Sequence, residues 1–158
     1  MAGKPKRKAK KPENVWYEVA VYDWEPTYRF GLNIRSRNSR DDDAFWEYYT
    51  ITLLGKLVSP ELKQARNVRV ELAGDPELDD HYTAKPTVIS AKAIGFSEIP
   101  RGENTLILYC SIPARQLGFV GLAAQAGKIG HASVFGTKLR YRRGKVFSVL
   151  LQEFKEDE

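Results

Sequence analysis

Residues 28–35, Tyr28-Arg29-Phe30-Gly31-Leu32-Asn33-Ile34-Arg35, alternate without a break. Tyr28, Phe30, Leu32 and Ile34 fall on one face, and Arg29, Gly31, Asn33 and Arg35 on the other. That period of two belongs to a half-buried β-strand, not to a helix. Just upstream, Val15, Tyr17, Val19 and Val21 alternate in the same way. Residues 23–27, with Pro26 inside, predict a turn between the two runs.

The pattern continues outward. Residues 48–58 place Tyr49, Ile51, Leu53 and Leu57 on one face, and Pro60 ends the run. Val68, Val70 and Leu72 alternate with Arg69 and Glu71 in a short strand. Residues 74–85 are acidic, contain Pro76 and show no period, so they predict an exposed loop. Residues 88–96 alternate more weakly. Residues 105–112, TLILYCSI, are apolar on both faces, as in a strand covered from two sides. One helix is expected near 113–126, opened by Pro113, with Leu117, Val120, Gly121 and Ala124 at helical spacing and Gly127 as cap. Gly118 and Gly121 each cost about 1 kcal/mol against alanine, which close packing on the sheet would offset. Residues 132–141 and 146–154 predict a final hairpin joined across residues 142–145. About eight strands, one helix and no βαβ rhythm give an α+β, mainly β class. The expected domain is an antiparallel sheet or a barrel-like (for example OB-like) form.

The chain has 158 residues, the size of one ordinary domain, and 42% of them are hydrophobic. Cys110 is the single cysteine, so neither an internal disulfide nor a cysteine-rich zinc site is expected, and a cytoplasmic setting is. No uncharged run approaches the roughly 18 residues of a membrane span. The net charge of +5 resides in residues 1–14, which hold Lys4, Lys6, Arg7, Lys8, Lys10 and Lys11 against Glu13. This segment has too little apolar surface to fold and reads as a disordered basic tail ahead of a domain at 15–158. Its composition suits a solubilising arm, a contact for phosphate backbones, or nuclear import in a eukaryote.

Most chemical motifs fail. Residues 121–129, GLAAQAGKI, space the P-loop glycines wrongly and put Ile129 where a magnesium-binding hydroxyl belongs. Gly118 to Gly121 outline a nucleotide-clamping loop, but the central pair is apolar. Asp75, Glu77 and Asp79 have calcium-loop spacing, but Asp80 and Pro86 occupy the positions needing glycine and glutamate. Asp41, Asp42 and Asp43 have no completing ligands, so no metal or cofactor is expected. Cys110 lies in an apolar strand, unsuited to a thiolate. His81 beside Asp80, and His131, match no catalytic order, so an enzyme is the third reading.

Two features remain. Residues 16–49 contain all three tryptophans and ten of the 18 aromatic residues, interleaved with Arg29, Arg35, Arg37 and Arg40. Aromatic faces with arginines are what single-stranded nucleic acid requires. The alternation nevertheless sets Arg29 and Arg35 opposite Tyr28 and Phe30, leaving Trp16, Tyr22, Phe45, Trp46 and Tyr48 as stacking candidates. The second feature is a 49-residue span, from Asn104 to Gln152, without a carboxylate. Lys138, Arg140, Arg142, Arg143 and Lys145 crowd its last hairpin, the first three expected on one strand face. Three readings follow: binding of a polyanion such as nucleic acid, a charged edge that resists aggregation, or self-association against the acidic 74–81 loop of another copy.

Overall fold

The computed structural model describes residues 13–32, 45–82 and 93–153. The elements are β1 (Asn14–Leu32), β2 (Phe45–Ser59), β3 (Asn67–Asp75), a 3₁₀ helix (Pro76–Tyr82), β4 (Gly95–Glu98), β5 (Thr105–Pro113), α1 (Ala114–Gln125), β6 (His131–Thr137) and β7 (Arg143–Gln152). The seven strands form a mixed sheet, ordered β1-β2-β3-β5-β4-β7-β6, that closes into a barrel-like ring when β6 pairs with β1. Among the described strands, only β3 and β5 pair in parallel. The fold is mainly β with one α-helix among the described residues, as the alternation implies.

The expected turn at 23–27 is absent. Residues 14–32 form one strand, giving seven strands among the described residues rather than eight. The cause is a bulge: Val21 faces Gly55 and Asp23 faces Leu54, so Tyr22 is the extra residue. An extra residue reverses the faces that follow it. Tyr17, Val19 and Val21 point inward before the bulge. After it, Trp24 lies opposite the buried Leu53. Pro26 is accommodated because β1 beyond Val21 pairs with β2 alone, leaving its other edge open.

The core fills the ring. Tyr17, Val19, Ile51, Leu53, Val68, Val70, Leu72, Leu106, Leu108, Val134 and Val146 are buried, contributed by strands far apart in sequence. Cys110 belongs to this core, and burial pushes its thiol up to about 12. The helix α1 packs its buried Leu117, Val120 and Ala124 toward β2 and β3. A Cβ at Gly121 would lie 3.2 Å from Ile51 Cδ1, so that side chain would have to give, whereas Gly118 has nothing within 4 Å. Close packing therefore accounts for Gly121 and not for Gly118. Part of the acidic stretch expected as a loop, Pro76–Tyr82, is a 3₁₀ helix, and residues 83–85 lie outside the described residues. This 3₁₀ helix presents Asp79, whose Oδ1 accepts the Arg115 backbone N–H at 3.0 Å and satisfies an otherwise orphaned donor in the first turn of α1.

Candidate functional site

Strand direction decides which loops meet. Lys56 of β2 faces Asn67 of β3, Asn67 faces Thr105 of β5, Glu98 of β4 faces Arg143 of β7, and Thr137 of β6 faces Asn14 of β1. The β2–β3 loop (60–66), the β4–β5 loop (99–104), the β6–β7 turn (138–142) and Glu13 therefore share one end of the ring. These segments carry Lys63, Arg66, Arg101, Lys138, Arg140 and Arg142 against Glu13, Glu61 and Glu103. The opposite end bears Asp75, Glu77 and Asp79, where β3 enters the 3₁₀ helix. Cations thus outnumber carboxylates at the first end, while carboxylates gather around the 3₁₀ helix at the second, beside Arg115.

At the basic end the hairpin cations take different roles. The final turn comes earlier than expected: β6 stops at Thr137, so Lys138, Arg140 and Arg142 lie in a turn rather than along a strand face. Tyr141 and Arg142 both adopt positive φ there, at 53° and 66°. Arg142 folds against the β4–β5 loop, donating through Nε to Ile99 O at 2.9 Å and through Nη2 to Pro100 O and Glu103 O, each at 3.2 Å. Its guanidinium satisfies carbonyls and holds the turn. Lys138 meets Glu13 at 2.5 Å, and Arg143 meets Glu98 at 3.3 Å with its side chain 78% exposed. Arg140 lies 5.6 Å from the ring centroid of the exposed Tyr141. Arg140 and Lys145 form no ion pair among the described residues.

A cleft beside this turn went unseen in the sequence. Lys56, Lys63, Gln64, Ala65, Arg66, Asn67 and Asn104 line a volume of about 300 Å³. Lys56 Nζ donates to Asn67 Oδ1 at 2.5 Å. Lys63 and Arg66 are exposed, and neither they nor Lys56 form an ion pair among the described residues. The only sequence signal is the alternation of Lys63, Gln64 and Arg66 with the inward Leu62 and Ala65. Asn104 joins the cleft solely through the parallel pairing of β3 with β5.

Of the arginine-aromatic stretch, Trp16 lies near Asn14 against Phe135, while residues 28–32 and 45–49 lie at the other end. Beyond the ring, residues 28–32 of β1 and 45–49 of β2 continue as a two-stranded ribbon. Arg29 faces Tyr48 and Gly31 faces Trp46, so Arg29, Trp46 and Tyr48 share one face. The Trp46 indole lies over Gly31 and donates to Leu32 O at 3.2 Å. Tyr28, Phe30, Leu32 and Phe45 lie exposed on the reverse face, where Phe30 and Phe45 stack at 5.5 Å. Tyr28 donates to Glu47 at 3.2 Å, and its hydroxyl is held above the usual tyrosine range by desolvation and then by the Glu47 charge. Arg35, Arg37 and Arg40 lie outside the described residues, as does the His81 side chain. Arg29 and Trp46 thus cannot belong to one surface with the 138–145 cations.

One polar cluster was also unforeseen. His131 Nε2 contacts Glu18 Oε2, and Ser133 Oγ donates to the same oxygen. His131 is 5% exposed. The carboxylate stands between imidazole and hydroxyl, whereas nucleophilic catalysis needs the imidazole in the middle to take the hydroxyl proton. The cluster ties β1 to β6, and this order of groups does not activate Ser133.

No protein-family model, curated protein or solved structure matches the chain. No helix among the described residues is long and apolar enough to cross a membrane.

Proposed function

We propose that this protein is a non-catalytic binding module for a polyanion, in the first place a nucleic acid, engaged through the basic end of the ring. One observation carries the reading: three loops and the start of β1 converge where Lys56, Lys63, Arg66, Arg101, Arg140 and Lys145 have no ion-pair partner among the described residues. Unpaired cations on loops that share one end, three of them lining a cleft, can neutralise successive phosphates and release their counterions. The basic residues 4–11 precede Glu13 in sequence and add positive charge to the chain. Binding of this kind is sequence-tolerant and strongly salt-dependent. With about five neutralised phosphates, log K falls against log salt with a slope of roughly −3.5 for single strands. Fluorescence anisotropy with short single-stranded DNA and RNA tests the proposal; no association at low salt removes it.

A second reading, self-association, is favoured by the ribbon and by polarity. Tyr28, Phe30, Leu32 and Phe45 form an exposed apolar face. The basic loops at one end and Asp75, Glu77 and Asp79 at the other suit head-to-tail contacts, which generate rings or open chains. Light scattering that stays monomeric at high concentration rejects it.

A further inference from the structure

We infer that the cleft between the β2–β3 loop and Asn104 is a discrete phosphate-binding site within the basic end; the inference rests on the polyanion reading and names where that reading concentrates. Three features of the cleft select a phosphate group. First, its lining holds Lys56, Lys63 and Arg66 together with the amides of Gln64, Asn67 and Asn104, and contains no carboxylate. Glu61 is exposed in the same loop and is not part of the lining. An arginine fork and two ammonium groups match the several oxygens of one phosphate, while amide N–H groups supply neutral donors for those left over.

Second, the cleft is preorganised. Ala65 is buried in the core and Leu62 packs against it, so the loop is anchored at two inward positions while its polar residues face out. The Leu57 N–H donates to Arg66 O at 2.8 Å, closing the base of the loop. Lys56 bonded to Asn67 Oδ1 fixes that amide with its NH₂ as a remaining donor. The backbone of the loop is thus held before binding, and the ordering left to oppose it is that of the exposed Lys63, Gln64 and Arg66 side chains.

Third, the site is concave, with a volume of about 300 Å³. That is the small end of the range for ligand sites, enough for a phosphate and part of its ester. An internal phosphodiester and a terminal phosphate present the same oxyanion chemistry, and the experiment separates them.

The test is anisotropy of the full chain with two fluorescent single-stranded octanucleotides, one 5′-phosphorylated and one 5′-hydroxyl, over a salt series. The variants are K63A/R66A, the neutral N104A, and R140A/K145A at the neighbouring turn, each checked for an unchanged melting profile. K63A/R66A is expected to weaken binding about tenfold or more and to flatten the salt slope by about 1.4. N104A is expected to weaken binding several-fold with net charge unchanged, which a diffuse cationic surface would not show. Equal losses with both oligonucleotides assign an internal phosphodiester, and a loss confined to the phosphorylated one assigns a terminal phosphate. If R140A/K145A weakens binding while K63A/R66A and N104A behave as wild type, the cleft is overturned and the polyanion reading survives. If the wild-type chain binds neither oligonucleotide at low salt, both fall.

Discussion

Lys138 Nζ lies 2.5 Å from Glu13 Oε2, and the Lys138 backbone N–H donates to Glu13 O at 2.8 Å. This double contact joins the residue before β1 to the β6–β7 turn, although 124 residues separate them in sequence. The Lys138 side-chain hydrogen bond and then its charge hold the Glu13 carboxyl below its ordinary range. A carboxyl whose folded pKa is depressed adds stability above its unfolded pKa and loses it as pH falls through the folded value. Glu13 is fully exposed, so the effect on global stability is small and the site-specific titration is the sensitive readout. NMR titration is expected to show Glu13 titrating low in the wild type and at the ordinary value in Lys138→Ala. Identical curves contradict the contact.

Gly118 lies exposed inside α1 with space around it for a methyl group, while a Cβ at Gly121 would press on Ile51. Alanine at position 118 recovers helix propensity without a clash, so Gly118→Ala is expected to stabilise the protein by about 1 kcal/mol. Gly121→Ala is expected to gain less or to lose. Urea unfolding of both variants checks the contrast, and equal gains would mean that α1 does not approach β2 as described.

Asp79 caps α1 from outside the helix, accepting the Arg115 N–H and lying 4.0 Å from its guanidinium. Asp79→Ala removes both contacts at the positive end of the helix dipole. A loss of about 1 kcal/mol is expected, as for other N-terminal caps. A shift in urea midpoint with unchanged slope would show it, and no shift refutes it.

Cys110 is sealed in the core with its thiol pushed up to about 12. At pH 8 the thiolate population is negligible and access is blocked, so a disulfide reagent is expected to react only after denaturant is added. Fast labelling of the native chain would mean that β5 is not covered.

The alternation in residues 28–32 and the apolar run at 105–112 made these strands legible, because side-chain period is a property of the local backbone. The helix was legible from Leu117, Val120 and Ala124. Tyr22 defeated the reading of β1: a bulge reverses the faces, and in sequence that resembles two strands with Pro26 in a turn between them. The final hairpin shifted for a related reason, since Tyr141 and Arg142 take left-handed conformations that their residue types do not announce. Of the candidate site residues, the five cations of 138–145 do lie at or beside one end. Their individual roles depended on neighbours from other loops, such as the carbonyls that receive Arg142.

Composition and periodicity alone established the strand-rich class, the buried thiol, the electroneutral body and the placement of excess charge in residues 1–14. Tertiary structure decided which strands became neighbours and in what direction. Those choices placed Asn104 beside Lys63 and Arg66, Lys138 beside Glu13, and Arg29 on the face of Trp46 but far from Arg140. Pairing between distant strands is selected by how the whole core packs, and no local repeat in the chain encodes it.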